Sequence, residues 1–111
     1  MQKNKFEAYI GFGIKSGSVI FGSDKIIEAR KKIPLVIFDE TTNVKVVNKL
    51  ISLSDYKKFA LVKSKILLSE LTKRDNVKVL GMLDKNLASA ILKNCNDEIV
   101  ILKEGENRIG K

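Results

Sequence analysis

The sequence predicts an α/β fold, a three-layer α-β-α sandwich around a central mixed sheet of about four strands. Three observations carry this expectation. Short β-branched and aromatic runs such as Leu35-Val36-Ile37-Phe38 alternate with segments whose apolar residues recur every three or four positions. Those runs are apolar throughout, as strands covered by helices on both faces must be. Asp, Ser, Thr and Gly cluster between them and supply turns and helix starts.

Residues 5–15 read as a helix. Phe6, Tyr9, Ile10 and Ile14 share a face, and Gly11 and Gly13 leave room for a close neighbour. Residues 18–21 form a short buried strand. Ser23 or Asp24 caps a helix that runs to about Lys31 and turns Lys25, Arg30, Lys31 and Lys32 outward. Pro34 breaks it, and residues 35–38 are a second strand. Asp39-Glu40-Thr41-Thr42 is a turn with cap residues before a helix over about 42–54, whose inner face is Val44, Val47, Leu50 and Ile51. Residues 59–62 form a third strand. Ser64 caps a short helix over 65–73, and a polar loop, Thr72-Lys73-Arg74-Asp75-Asn76, precedes a fourth strand over 77–83. Asp84 caps a last helix over 85–94 that turns Leu87, Ala88, Ile91 and Leu92 inward.

At 111 residues the chain is one domain, placed at 1–95, followed by a C-terminal extension at 96–111. The extension carries one apolar run, Ile99-Val100-Ile101-Leu102, able to dock as an edge strand, and then a mobile end from Glu104. Apolar runs reach only four to six residues, too short for a membrane span, and the lysine-bearing N-terminus lacks the apolar stretch of a signal peptide. The expected location is the cytoplasm.

Composition narrows the chemistry. The chain has one cysteine, Cys95, and no histidine, which leaves too few ligands for a zinc site and no base for a serine or cysteine nucleophile. Asp39-Glu40 closes a strand where α/β sheets often place acids, but no third acid is fixed nearby, so a helix cap is the plainer reading. Gly11-Phe12-Gly13-Ile14-Lys15-Ser16-Gly17 superficially resembles a dinucleotide loop, yet it follows a helix where that loop needs a strand. No catalytic residue, metal or cofactor is assigned.

The formal charge is +8, and a basic domain without membrane features points to nucleic acid or an acidic partner. Lysine outnumbers arginine 18 to 3, and lysine-rich surfaces are also common as plain solvated faces. The stretch from Tyr9 to Lys32 concentrates the signal. Its turn Lys15-Ser16-Gly17 and its helix start Gly22-Ser23-Asp24-Lys25 bring exposed backbone N–H groups and lysines together, which suits phosphate. Lys73, Arg74 and Asn76 complete a basic rim if their loop lies beside Gly22.

Residues 9–94 resemble the ribosomal protein L-seven-Ae / L-thirty-e superfamily, most closely its bacterial YlxQ-like members. The resemblance rests on an ordered set: Ile14-Lys15-Ser16-Gly17-Ser18-Val19-Ile20-Phe21-Gly22, then Pro34-Leu35-Val36-Ile37-Phe38, then Asp39-Glu40-Thr41-Thr42-Asn43, then Val79 to Ala88. It implies an α-β-α sandwich that binds RNA at kink-turns or related bends. The family's Gly-x-Asn-Glu-x-x-Lys signature falls on Gly22, Asp24, Lys25 and Glu28. Glycine is kept, while Asp, Lys and Glu stand where the family has Asn, Glu and Lys. A second family contact comes from the loop before the fourth strand, matched by Lys73, Arg74, Asp75 and Asn76 where relatives carry a more apolar loop.

The expected function is therefore non-catalytic binding of structured, kink-turn-like RNA. The protein would be associated with the ribosome or translation and would use a basic edge of Lys15, Ser16, Gly17, Gly22, Ser23, Asp24, Lys25, Glu28, Lys73, Arg74 and Asn76. The alternative, motivated by Asp24 and Glu28, is a protein-interaction module on the same fold that has lost specific RNA binding.

Overall fold

A computed structural model describes residues 3–103. The end from Glu104, expected to be mobile, lies outside the described residues. The elements follow the order α1 (Lys3–Lys15), β1 (Val19–Phe21), α2 (Ser23–Glu28), β2 (Leu35–Asp39), α3 (Val44–Lys57), β3 (Ala60–Ser64), α4 (Leu68–Thr72), β4 (Val79–Met82), α5 (Lys85–Lys93) and β5 (Ile99–Lys103). The architecture is the expected α-β-α sandwich, with a five-stranded sheet in place of about four.

The sheet order is β1-β4-β2-β3-β5. β2 and β3 run parallel, and every other neighbouring pair is antiparallel. The fifth strand is the 99–102 run, which docks antiparallel on β3 with Val62 opposite Ile101 and Ser64 opposite Ile99. A register shift at Leu61/Val62 lets two β5 residues face one step of β3.

Strand alternation sorts the core into two layers. Leu35, Ile37, Ala60, Val62, Leu80 and Met82 meet Phe6 and Ile10 of α1, Leu68 and Leu71 of α4, and Ala88, Ile91 and Leu92 of α5. Val36, Phe38, Leu61 and Val79 meet Ile26 of α2 and Leu50 of α3. Gly81 lets the second layer sit close, since a Cβ there would lie 3.2 Å from Ile33 Cγ2 and 3.4 Å from Ile26 Cγ1.

Two expected element boundaries move for identifiable reasons. α2 stops at Glu28, not at Lys31, so Arg30, Lys31 and Lys32 lie in the connection to β2 and not on a helical face. Ala29 is already extended (φ −63°, ψ 135°), and its carbonyl accepts the Lys57 ammonium at 2.7 Å. Ile33 must reach the sheet over Gly81, and Pro34 bars it from helical geometry. α4 starts at Leu68, not at residue 65. Ser64 does not cap it; its hydroxyl closes a local turn by donating to the Ile66 carbonyl at 2.6 Å and accepting the Ile66 N–H at 3.1 Å.

The cap of α4 comes from Asp39, the last residue of β2. Its Oδ2 accepts the Leu68 N–H at 2.9 Å, while Oδ1 accepts the Thr41 N–H at 2.9 Å and the Thr41 hydroxyl. Asp39 therefore joins a strand end, the following turn and a helix start across the chain, in place of capping the helix that follows it. That role for α3 belongs to Asn43, whose Oδ1 accepts the Lys45 N–H at 2.7 Å. Asp84 caps α5 as expected, accepting the Asn86 and Leu87 N–H groups.

The two helical glycines of α1 separate clearly. A Cβ at Gly13 would sit 2.8 Å from Met82 Cε and 3.0 Å from Val19 Cγ2, whereas nothing lies within 4 Å of one at Gly11. Close approach is thus a property of Gly13 alone. Gly11→Ala is expected to raise stability by about 0.5–1 kcal/mol through helix propensity. Gly13→Ala is expected to lower it by about 1–2 kcal/mol, because the buried Met82 and the stiff Val19 must give way. Urea unfolding of the two variants checks the opposite signs.

Candidate nucleic-acid interface

β1 is an edge strand paired antiparallel with β4, and this pairing decides which candidate residues meet. Phe21 lies opposite Leu80, and the Gly22 N–H donates to the Val79 carbonyl at 2.9 Å. The start of α2 is thereby fixed beside the segment that enters β4. Gly22, not Ser23 or Asp24, is the N-cap of α2, and it makes no side-chain cap bond. Its φ of 95° and ψ of 141° lie where a side chain would be strained by about 1–3 kcal/mol.

The loop that follows α4 arrives at the same place. Lys73 (φ 58°) takes the left-handed conformation that ends α4, and Asn76 (φ 63°) takes it again before β4. The Arg74 guanidinium lies over the Phe21 ring, 4.7 Å from its centroid, so a cation–π contact seats this loop on the end of β1. The Lys78 carbonyl accepts both the Asp39 N–H at 3.0 Å and the Thr42 hydroxyl at 3.2 Å. The backbone under Lys78 is held from two sides while its side chain remains exposed.

The result is a cleft of about 240 Å³ lined by Gly22, Ser23, Thr42, Asn43, Val46, Asn76, Lys78 and Val79. Among the described residues its polar groups are hydroxyls, amides and one ammonium, with no acid in the lining. Such a set can donate to phosphate oxygens and to base edges.

The candidate residues divide accordingly. Gly22, Ser23 and Asn76 line the cleft, whereas Arg74 lies over Phe21, whose ring packs with the α1, α4 and α5 layer. Asp24 and Lys25 are exposed in the first turn of α2, and Glu28 closes that helix at its other end. Lys73 is drawn away to α1, where its ammonium meets Glu7 at 2.8 Å. The hydrogen bond and charge of Glu7 hold the Lys73 pKa above its ordinary value. Lys15, Ser16 and Gly17 sit at the opposite end of β1, where Val19 pairs with Met82 and the Leu83 N–H reaches the Ser18 carbonyl. The three residues of β1 put about 10 Å of strand between that turn and Gly22. There the Ser16 and Ser18 hydroxyls bond each other at 2.9 Å, and Gly17 (φ 74°) makes the turn.

Thr42, Asn43 and Lys78 escaped the sequence reading. Lys78 was legible in principle, as a charge interrupting Val77-Lys78-Val79 at the mouth of a strand. Thr42 and Asn43 enter only because β2 and β4 are neighbours in the sheet.

Two other chemistries have little support in the side chains. Asp39 is 1% exposed and both its oxygens are taken by the contacts above, so it serves as a structural joint. Among the described residues no group of three His, Cys, Asp or Glu side chains gathers. Burial pushes the Cys95 thiol up from an ordinary 9.0 to about 11. Its Sγ lies 3.4 Å from the Ile91 carbonyl. The thiolate is disfavoured, so this group adds no pH dependence below about pH 9 and costs stability as pH rises from 9 towards 11. Alkylation of the folded protein at pH 8 is expected to run about a hundredfold slower than that of a free thiol, and to recover in denaturant. A mass-spectrometric time course checks this.

No helix among the described residues is long and apolar enough to cross a membrane. No family model matches the chain, and no curated protein matches it. Among solved structures, the chain is similar to a protein of unknown function from Bacillus halodurans C. The TM-score is 0.75 at 14% identity, over 81% of this chain and 95% of that one. At that identity the likeness establishes the shared α-β-α fold.

Proposed function

We propose that the chain is a non-catalytic RNA-binding protein of the L-seven-Ae type, associated with the ribosome or translation, that grips structured, kink-turn-like RNA. The observation that carries this reading is the cleft in which Gly22 and Ser23 of the α2 start meet Asn76 and Lys78 of the β4 entrance. Gly22, Ser23 and Asn76 fall in the two places where the resemblance expects RNA contact, Lys78 follows the second of them, and the Gly22–Val79 hydrogen bond joins the two. The formal charge of +8 favours a polyanion, and Lys25 is exposed in the first turn of α2. Lysines and amides would hold phosphates with limited base reading.

The test is a titration of two labelled RNAs of equal length at two salt concentrations, one with a kink-turn and one a straight duplex. A preference of about tenfold or more for the kink-turn, or about 1.4 kcal/mol, is expected. Equal affinities, both steeply salt-dependent, would reduce the reading to general attraction of a basic protein for RNA. The second reading, a protein module without specific RNA binding, draws on the exposed Asp24 and Glu28 and on the withdrawal of Lys73 to Glu7.

A further inference from the structure

A second concavity lies further along the same two helices. The RNA cleft uses the first turns of α2 and α3. Beyond it, a furrow of about 460 Å³ is lined by Ile27 on α2 and by Asn48, Lys49, Ser52, Leu53 and Tyr56 on α3. Helical spacing stacks Lys45, Lys49, Ser52 and Tyr56 along one stripe of α3. The aliphatic side chains of Ile27 and Leu53 are half-buried, while Tyr56 is 83% exposed. A tyrosine so open covers almost nothing of its own chain, and aromatics of this kind are enriched as anchors at protein interfaces.

The α3 wall of the furrow is basic. Lys49 lines it, and Lys45 lies one turn away on the same stripe. No acid lines it. Asp55, the acid beside Tyr56 in sequence, is bound to Lys103 of β5 at 2.8 Å. Exposed Arg30 and Lys31 follow α2 in the connection to β2.

We propose that this furrow docks an amphipathic helical segment of an acidic protein partner. Its apolar side chains would enter between Ile27, Leu53 and Tyr56, and its carboxylates would face Lys45 and Lys49. A helix suits a shallow apolar channel between two helices, because residues at i, i+3, i+4 and i+7 supply a continuous row of anchors. The lining argues against RNA here, since single strands are held by successive stacked aromatics and this furrow has one aromatic on an aliphatic floor. The proposal stands independently of the RNA reading, which concerns other residues.

The test uses the full chain, 15N-labelled, titrated with a synthetic helical peptide that is leucine at i, i+3, i+4 and i+7 and glutamate elsewhere. A second peptide carries lysine for every glutamate. Saturable shifts are expected at Ile27, Asn48, Ser52, Leu53 and Tyr56, with the lysine peptide binding at least about tenfold more weakly. Tyr56→Ala and Lys49→Glu, both exposed and harmless to folding, should each weaken the acidic peptide by about tenfold. Equal binding of the two peptides, unaltered affinity in both variants, or shifts confined to other surfaces would overturn the proposal. So would tighter binding of a single-stranded RNA at these same residues.

Discussion

Lys78→Glu is expected to weaken binding of a kink-turn RNA by about ten- to a hundredfold without unfolding the protein. Among the described residues Lys78 is the one ammonium lining the cleft, and its main chain is fixed by the bonds that its carbonyl accepts from Asp39 and Thr42. A side chain projecting from an anchored backbone loses little freedom when it binds, so a charge-assisted bond from Lys78 to phosphate would keep most of its worth, about 1.5–3 kcal/mol. Lys78→Ala should lower the slope of log affinity against log salt by about one. The exposed position and the backbone nature of its fixed contacts leave the fold intact, which thermal unfolding checks. Lys15→Glu is the matched control at the other end of β1, with the same change of charge and an effect under about threefold. If Lys15→Glu costs as much as Lys78→Glu, the attraction is general and the cleft has no special part in it.

Asp39→Ala is expected to cost about 2–5 kcal/mol of stability, the largest effect of any single change considered for this chain. The carboxylate is 1% exposed and accepts from Thr41 twice and from Leu68 once. Removing it leaves the Leu68 N–H without a partner in the interior and releases the Thr41 turn, at about 1–3 kcal/mol for each orphaned group. Against a total of about 5–15 kcal/mol, that is a large share. Tm should fall by about 10 °C or more. Asp39→Asn should fall between, because one amide oxygen can still accept from Thr41 while its NH2 faces the Leu68 N–H donor to donor. Thr41→Val, which loses one hydroxyl contact, should cost about 1 kcal/mol. A Tm for Asp39→Ala within about 3 °C of the parent would show that the joint carries little stability.

The layers were legible in the sequence because burial on both faces leaves a direct trace. Leu35 to Phe38 are apolar at every position, and each neighbour serves the opposite layer. Helix spacing was legible in α3 and α5 because each buries one face, except at Val44, expected on the inner face of α3 and 68% exposed. What escaped was decided between segments distant in sequence. Asp39 looks like a cap for the helix after it, yet its partner is Leu68, because β2 and β3 end side by side with Asp39 paired to Ser64. The length of α2 depended on Ile33 having to pack over Gly81, and on Lys57 taking the Ala29 carbonyl. In the candidate site, Gly22 and Asn76 were visible as residues suited to turns. The antiparallel β1–β4 register, which brings them together and sends Lys15 to Gly17 to the other end, depends on pairing that no local pattern encodes.

The most direct measurement is amide chemical-shift mapping of the labelled full chain with kink-turn RNA. The largest saturating shifts should fall on Gly22, Ser23, Asn43, Asn76 and Lys78, with little change at Ser16 and Gly17 or at Ser52 and Tyr56. Shifts centred on the Lys15–Gly17 turn, on the furrow between α2 and α3, or spread evenly over the lysines would contradict the cleft as the RNA interface.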